Sequence, residues 1–381
     1  MKRIGLGILI LLLALGCTRS RKSPPQPNAG NKKQAAEKDP QSAPEKKGPE
    51  NVDGPDDGRE RGLYKDGKPH GLWTIWNSIG TRYDEGRFRL GVRRGVWTTW
   101  NPDGAKLAQG PYQKDLKEGT WTVWYPNGQK QEEGPYRKGK RHGAFKTWSD
   151  AGASSTKGVY EEDVQVGTWI IWDADGSRYS EGLFDGGVRN GIWTIYYANK
   201  NIHAKGEYSS NKRSGSWTIF FPNGRMKAEG SYLAGKRDGP WITYFPNGTP
   251  EAQGSYKTGK KHGNWVHSYG NGTKKSAGPY LDDLRDGDWT LLHDNGRVHR
   301  QGPYRNGQRS GSWIAFDPEG NKRAVGPYVD DKKNGVWLTW DEYGTKRAEG
   351  AYLDGIPDGP WKTWDKDGTP SNKGGNRRSD F

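Results

Sequence analysis
From residue 62 onward, aromatic, glycine and polar positions return with a fixed step of 24 residues. One column reads Trp73, Trp97, Trp121, Phe145, Trp169, Trp193, Trp217, Trp241, Trp265, Trp289, Trp313, Trp337 and Trp361, thirteen members with one Phe and no insertion between them. A second column, three residues further on, is looser: Trp76, Trp100, Trp124, Trp148 and Trp172 give way to Tyr196, Phe220, Tyr244, Ser268, Leu292 and Phe316 before Trp340 and Trp364. Glycine keeps the same step in four columns, begun by Gly62, Gly67, Gly71 and Gly80. Where the Gly67 column departs from glycine it holds Asp115, Asp163, Asn211, Asp283 and Asp331. Asp and Asn best tolerate a left-handed backbone, so this column predicts a turn. The Gly80 column predicts a second turn, because it closes Pro126-Asn127-Gly128, Pro222-Asn223-Gly224 and Pro246-Asn247-Gly248.

Two turns per period mean two antiparallel strands per period. The first strand has the form of Gly215-Ser216-Trp217-Thr218-Ile219-Phe220, and the second ends as in Gly230-Ser231-Tyr232. In both, a glycine lies two residues before an aromatic and therefore shares its face. Each bare glycine is expected to leave a slot beside a ring, so that rings of successive strands tile over backbone about 4.8 Å away. The predicted fold is all-β: an elongated single-layer antiparallel sheet of thirteen stacked 24-residue hairpins over residues 62–375, with a short tail at 376–381. Its expected length is on the order of 125 Å before twist. A parallel β-helix would need corners and aliphatic columns that this chain lacks.

Composition agrees. Hydrophobic residues make up only 30% of the 381, yet there are 19 Trp, 19 Tyr and 57 Gly, with a single Cys. That excludes a helical bundle, a disulfide scaffold and a dinucleotide-binding enzyme. The repeats are preceded by two different segments. Residues 1–16 carry basic Lys2 and Arg3, a short apolar stretch and a small Gly16 immediately before Cys17, which resembles a bacterial lipoprotein signal peptide. The resemblance implies that Cys17 is acylated and anchors an exported chain in the cell envelope, with Thr18 favouring the outer membrane. Residues 17–61 are rich in proline and interleaved charge and have no aromatic side chain, the composition of a disordered tether.

The unit Tyr64-Lys65-Asp66-Gly67-Lys68-Pro69-His70-Gly71-Leu72-Trp73 resembles the MORN repeat. The pattern Gly-x-Trp-x-x-Tyr-x-Pro-Asn-Gly, followed by Glu-Gly-x-Tyr-x-x-Gly-Lys, resembles its bacterial YwqK-type variant, which often carries a toxin–antitoxin label. The resemblance implies an extended, curved antiparallel sheet of stacked hairpins.

No catalytic set stands out. His70, His142 and His262 share one repeat position with Arg94, Ser214, Asp238, Asp286 and Asp358, which marks a turn surface. Glu85, Glu133, Glu181, Glu229 and Glu349 recur as a column, whereas a catalytic pair appears once. No metal and no cofactor are expected. The formal net charge is +15, and basic residues cluster near turns at Arg93-Arg94, Arg141, Arg213 and Arg237. Stacked hairpins would line these along one edge as a basic stripe for a protein partner or an anionic envelope polymer or lipid; nucleic acid is not expected of an exported chain. The other reading of that edge is a solvated border that deters sheet-to-sheet pairing. The run Trp76, Trp100, Trp124, Trp148, Trp172 falls on the face opposite the first column and offers either packing or a groove for glycan or peptide. Three functions follow: an envelope surface protein that binds a partner, a toxin-neutralising immunity protein, or a glycan-binding adhesin.

Overall fold
The computed structural model describes residues 50–53 and 59–371. The expected signal segment, Cys17, most of the expected tether, Gly374 and the tail lie outside the described residues. What is described is one antiparallel sheet of 32 strands, in which each strand pairs with its neighbours in sequence. Among the described residues there is no helix, and no strand pairs the start of the sheet to its end.

Each period is a hairpin closed at both ends. The Gly67 column forms a two-residue turn with positive φ at both central residues, as at Asp66 and Gly67 (54° and 68°) or Ala234 and Gly235 (50° and 87°). These are type I′ turns, whose twist matches that of the flanking strands. At Asp115, Asp163, Asn211, Asp283 and Asp331 the missing glycine is compensated. Each side-chain oxygen accepts the backbone N–H of the preceding unit's turn, from Arg93, Arg141, Arg189, Lys261 and Arg309, at 2.7–3.0 Å. The Gly80 column closes the other end. In Phe221-Pro222-Asn223-Gly224, Gly224 donates to the Phe221 carbonyl, Phe221 donates to the Arg225 carbonyl, and Asn223 Oδ1 accepts the Arg225 N–H. Lys200, the one non-glycine in this column, adopts the same left-handed φ of 71°.

The two glycine columns within the strands do different things. In the Gly62 column the expected slot is present at every described member. A Cβ on Gly62 would fall 2.4 Å from the Trp73 ring, and one on Gly206 would fall 2.4 Å from the Trp217 ring. The indoles therefore lie flat on bare backbone, and Trp73, Trp97, Trp193 and Trp217 are 0–2% exposed although the sheet has only one layer.

The Gly71 column is not a ring slot, and this corrects the sequence reading. Gly71 and Gly215 have φ of 82° and 59°, and a Cβ on Gly71 would approach nothing closer than 3.9 Å. The pairing explains why. Gly206 faces Trp217 but Glu207 faces Ser214, so Gly215 and Ser216 bulge out of the ladder. The left-handed glycine makes that bulge. The bulge brings the indole over the chain, and the indole N–H then donates to the carbonyl ten residues back, as Trp217 does to Glu207 at 2.9 Å. Ten tryptophans make this bond. Trp241 and Trp361 do not, and they are the two tryptophans that follow a proline, Pro240 and Pro360.

One strand falls inside the stretch expected to be a tether. Glu50–Asp53 pairs with Arg61–Tyr64. The outer edge of Glu60–Lys65 presents unpaired backbone groups, and a short strand that covers them satisfies those groups and closes the edge.

Candidate binding surface
The ring face is continuous. Each Trp of the first column from Trp73 to Trp337 meets a Tyr or Phe on either side, edge to face, and Trp361 meets Tyr352, so the contacts run from Tyr64–Trp73 (5.0 Å between centroids) to Tyr352–Trp361 (5.1 Å). Strand pairing then puts one further column against the rings. It was not singled out as a column in the sequence: Arg93, Lys117, Arg141, Arg189, Arg213, Arg237, Lys261, Arg285, Arg309 and Lys333, broken once by Gln165. Each stands opposite a Tyr or Phe in the ladder, as Arg213 does opposite Tyr208. Its head lies over the Trp of its own unit or the Tyr of the next, at 4.0–5.6 Å; Arg213, for instance, is 4.2 Å from the Trp217 centroid and 5.4 Å from that of Tyr232.

Arg93, Arg141, Arg213 and Arg237 therefore sit on the ring face and not along an edge as the sequence suggested. The reason is alternation: adjacent residues of a strand point to opposite faces, so an Arg-Arg pair is split between them. Arg94, next to Arg93, faces the other way and borders a shallow hollow with Arg89, Leu90, Val92, Lys114 and Asp115.

The cations differ in their partners. Arg93 pairs with Asp84 at 3.2 Å, Arg141 with Asp163 at 3.2 Å and Arg309 with Asp331 at 2.9 Å. Burial pushes the Asp84 carboxyl above its usual range, and Arg93 with the Thr99 hydroxyl pulls it back. Arg213, Arg237 and Arg285 instead donate to the hydroxyls of Tyr232, Tyr256 and Tyr304 at 2.9–3.2 Å. Between Trp265 and Trp289, burial first, then Lys261, Arg285 and Lys275, push the His267 imidazole down to about 4.

Trp76, Trp100, Trp124, Trp148 and Trp172 lie on the opposite face, half-buried except for Trp100 at 8% exposure. Most are already covered. Arg82 lies 3.9 Å over Trp100, Lys106 5.8 Å over Trp124 and Lys130 5.8 Å over Trp148. Two of these cations are held by the glutamate column, Arg82 by Glu85 and Lys130 by Glu133, and in the same way Glu181 holds Arg178 over Tyr196. Trp172 has Ser154 where its neighbours have a basic residue. In Tyr244, burial first and then the hydrogen bond to Glu229 push the hydroxyl up to about 12. On this face a cation lies over Trp100, Trp124 and Trp148, so these rings form part of a polar and aromatic row.

The histidine column is tied into turns. His70 Nδ1 accepts the Leu90 N–H at 3.4 Å, where Glu118 and Asp238 in the same column accept from Lys138 and Thr258. Among the described residues no cluster of three or more His, Cys, Asp or Glu converges on a common point.

With the register and the ring face defined, the comparison with known families is specific. Three segments match the MORN repeat variant. They are residues 117–138, 189–210 and 237–258. Each begins on the cation column, at Lys117, Arg189 and Arg237, so the MORN repeat variant and the structure divide the chain at the same phase. No curated protein matches the chain.

Proposed function
We propose that this is a non-enzymatic, lipid-anchored protein of the cell envelope whose ring face binds a protein partner or an envelope component of opposite charge. The observation that carries the reading is the cation column on the ring face, ten basic residues at one repeat position over an aromatic floor. A row of like charge over buried rings sets a fixed positive potential along the array, and such a potential raises the local concentration of anions. The glycine-backed indoles under the row keep the cations from folding away. The signal-like segment ending at Cys17 supports placement at a membrane from which the repeats project.

The test is co-sedimentation of the purified chain with envelope fractions across a salt series, with Arg213→Gln/Arg237→Gln/Arg285→Gln in parallel. Binding that weakens with salt and drops in the triple variant is expected. Salt-independent binding, or equal binding by the variant, would show that the ring face is not the contact surface.

A further inference from the structure
The cations are not equivalent along the array. Arg93, Arg141 and Arg309 are neutralised by carboxylates, whereas Arg189, Arg213, Arg237, Lys261 and Arg285 occupy five consecutive units and form no ion pair among the described residues. Arg213, Arg237 and Arg285 lie over rings and donate to tyrosine hydroxyls, Arg189 lies over rings, and Lys261 lies over rings with its ammonium 3.5 Å from His267 Nε2 and in the field of Asp283. The lowered His267 imidazole lies within this stretch and reports its positive field, after burial, through Lys261 and Arg285.

Spacing limits what this stretch fits. Successive cations are two strands apart, about 9.6 Å. An extended acidic peptide presents same-face carboxylates every ~6.6 Å, and a duplex nucleic acid has a phosphate every ~3.4 Å of each strand. The peptide falls out of phase with the row, and in a wound duplex the phosphate three steps on, ~10.2 Å along the axis, has turned away from the face the row presents. A disaccharide in an extended, equatorially linked glycan is two pyranose rings long and stays in phase. Its carboxylate would accept the N–H groups left on each cation, and its hydroxyls would meet the tyrosine hydroxyl that Arg213, Arg237 and Arg285 hold in place.

We propose that Arg189, Arg213, Arg237, Lys261 and Arg285 bind a linear acidic polysaccharide laid along the array, one uronate-bearing disaccharide per 24-residue unit. This deepens the anionic-partner reading above and rests on it. The probes are oligosaccharides that alternate glucuronate with a neutral sugar, from two to fourteen sugars long, titrated calorimetrically into the full chain. Neutral oligosaccharides of equal length, inorganic polyphosphate of equal charge and anionic vesicles are titrated in parallel.

Affinity is expected to rise with each added disaccharide up to five and then level off, with no binding of the neutral series. Arg213→Gln/Arg237→Gln/Arg285→Gln should weaken the ten-sugar probe by about tenfold or more. The same variant should reduce the slope of log K against log salt by about 2, at roughly 0.7 per cation lost. Arg93→Gln/Arg141→Gln should leave the affinity within about twofold, since those cations are already paired. The triple Lys variant at the same three sites keeps charge and packing, and its retained binding would separate lost contact from lost fold. Polyphosphate or vesicles binding as tightly as the glycan, or affinity without a plateau, would overturn the glycan assignment while leaving the anionic-partner reading intact. Failure of every anionic probe would overturn both.

Discussion

The two faces of this sheet carry aromatic columns three residues apart, and they solve the burial of a ring in different ways. On one face every indole rests on a glycine of the neighbouring strand and meets other rings edge to face, so that a single layer buries Trp217 to 1% exposure. On the other, rings such as Trp124 and Trp148 are covered by a lysine side chain from the preceding unit and stay half-exposed. Backbone cannot adapt to a changed ring, whereas a flexible lysine can. The first column accordingly departs from Trp only once, at Phe145, while the second passes from Trp to Tyr, Phe, Ser and Leu. In a thin fold, the face packed on backbone carries the stability and the face packed on side chains tolerates change.

Substitutions can break this contrast directly. Trp217→Ala should cost about 4 kcal/mol by losing a buried ring, measured by denaturant unfolding; a loss under ~1 kcal/mol would mean that the rings do not hold neighbouring units together. Gly206→Ala should cost about 3 kcal/mol, because its new Cβ would sit 2.4 Å from the Trp217 ring, which has no room to retreat. Phe220→Ala, on the tolerant face, should cost only about 1.5 kcal/mol, since that ring is half-exposed and loses correspondingly less transfer energy.

His267 gives a pH test of the ring face. Its folded value, about 4, lies below the ordinary histidine range, so the unfolded chain binds a proton more readily than the folded one. Its neutral form supports the fold fully above pH ~6.5, and that support declines as pH falls toward 4. His267→Asn should flatten this part of the stability profile, and an unchanged slope would remove His267 as its cause. The smallest effect sharpens the other face: Ser154→Arg would place a cation over Trp172 and should add about 0.5 kcal/mol, visible as a small rise in the unfolding midpoint.

Much of this was legible in the sequence because a repeat turns spatial neighbours into arithmetic. The 24-residue step shows a glycine column that leaves slots beside rings, and both turns follow from residues that accept positive φ. Two things were not legible, and both depend on cross-strand pairing. Gly206 and Gly215 each precede an aromatic by two residues, yet one is a slot and the other a bulge, and only the partners of residues 206 and 207 distinguish them. Likewise Arg93 and Arg94 look like one basic cluster until the pairing sends Arg93 onto the rings beside Asp84 and Arg94 to the far side. Whether a cation of the column is paired depends on carboxylates distant in sequence, such as Asp163 for Arg141, which no local reading of the doublets finds.

Ties between neighbouring units recur at fixed offsets, among them 10 residues for the indole bonds, 22 for the turn aspartates and 23 for hydroxyls such as Tyr125 to the Trp148 carbonyl. A deletion or duplication of one whole period would therefore rejoin the chain with each of these ties intact, whereas a change of any other length would strand them at the seam. Genes encoding such a chain can grow or shrink by unequal recombination and still yield a foldable product, so the reach of the array is a trait that selection can adjust in discrete steps without re-solving how the chain folds.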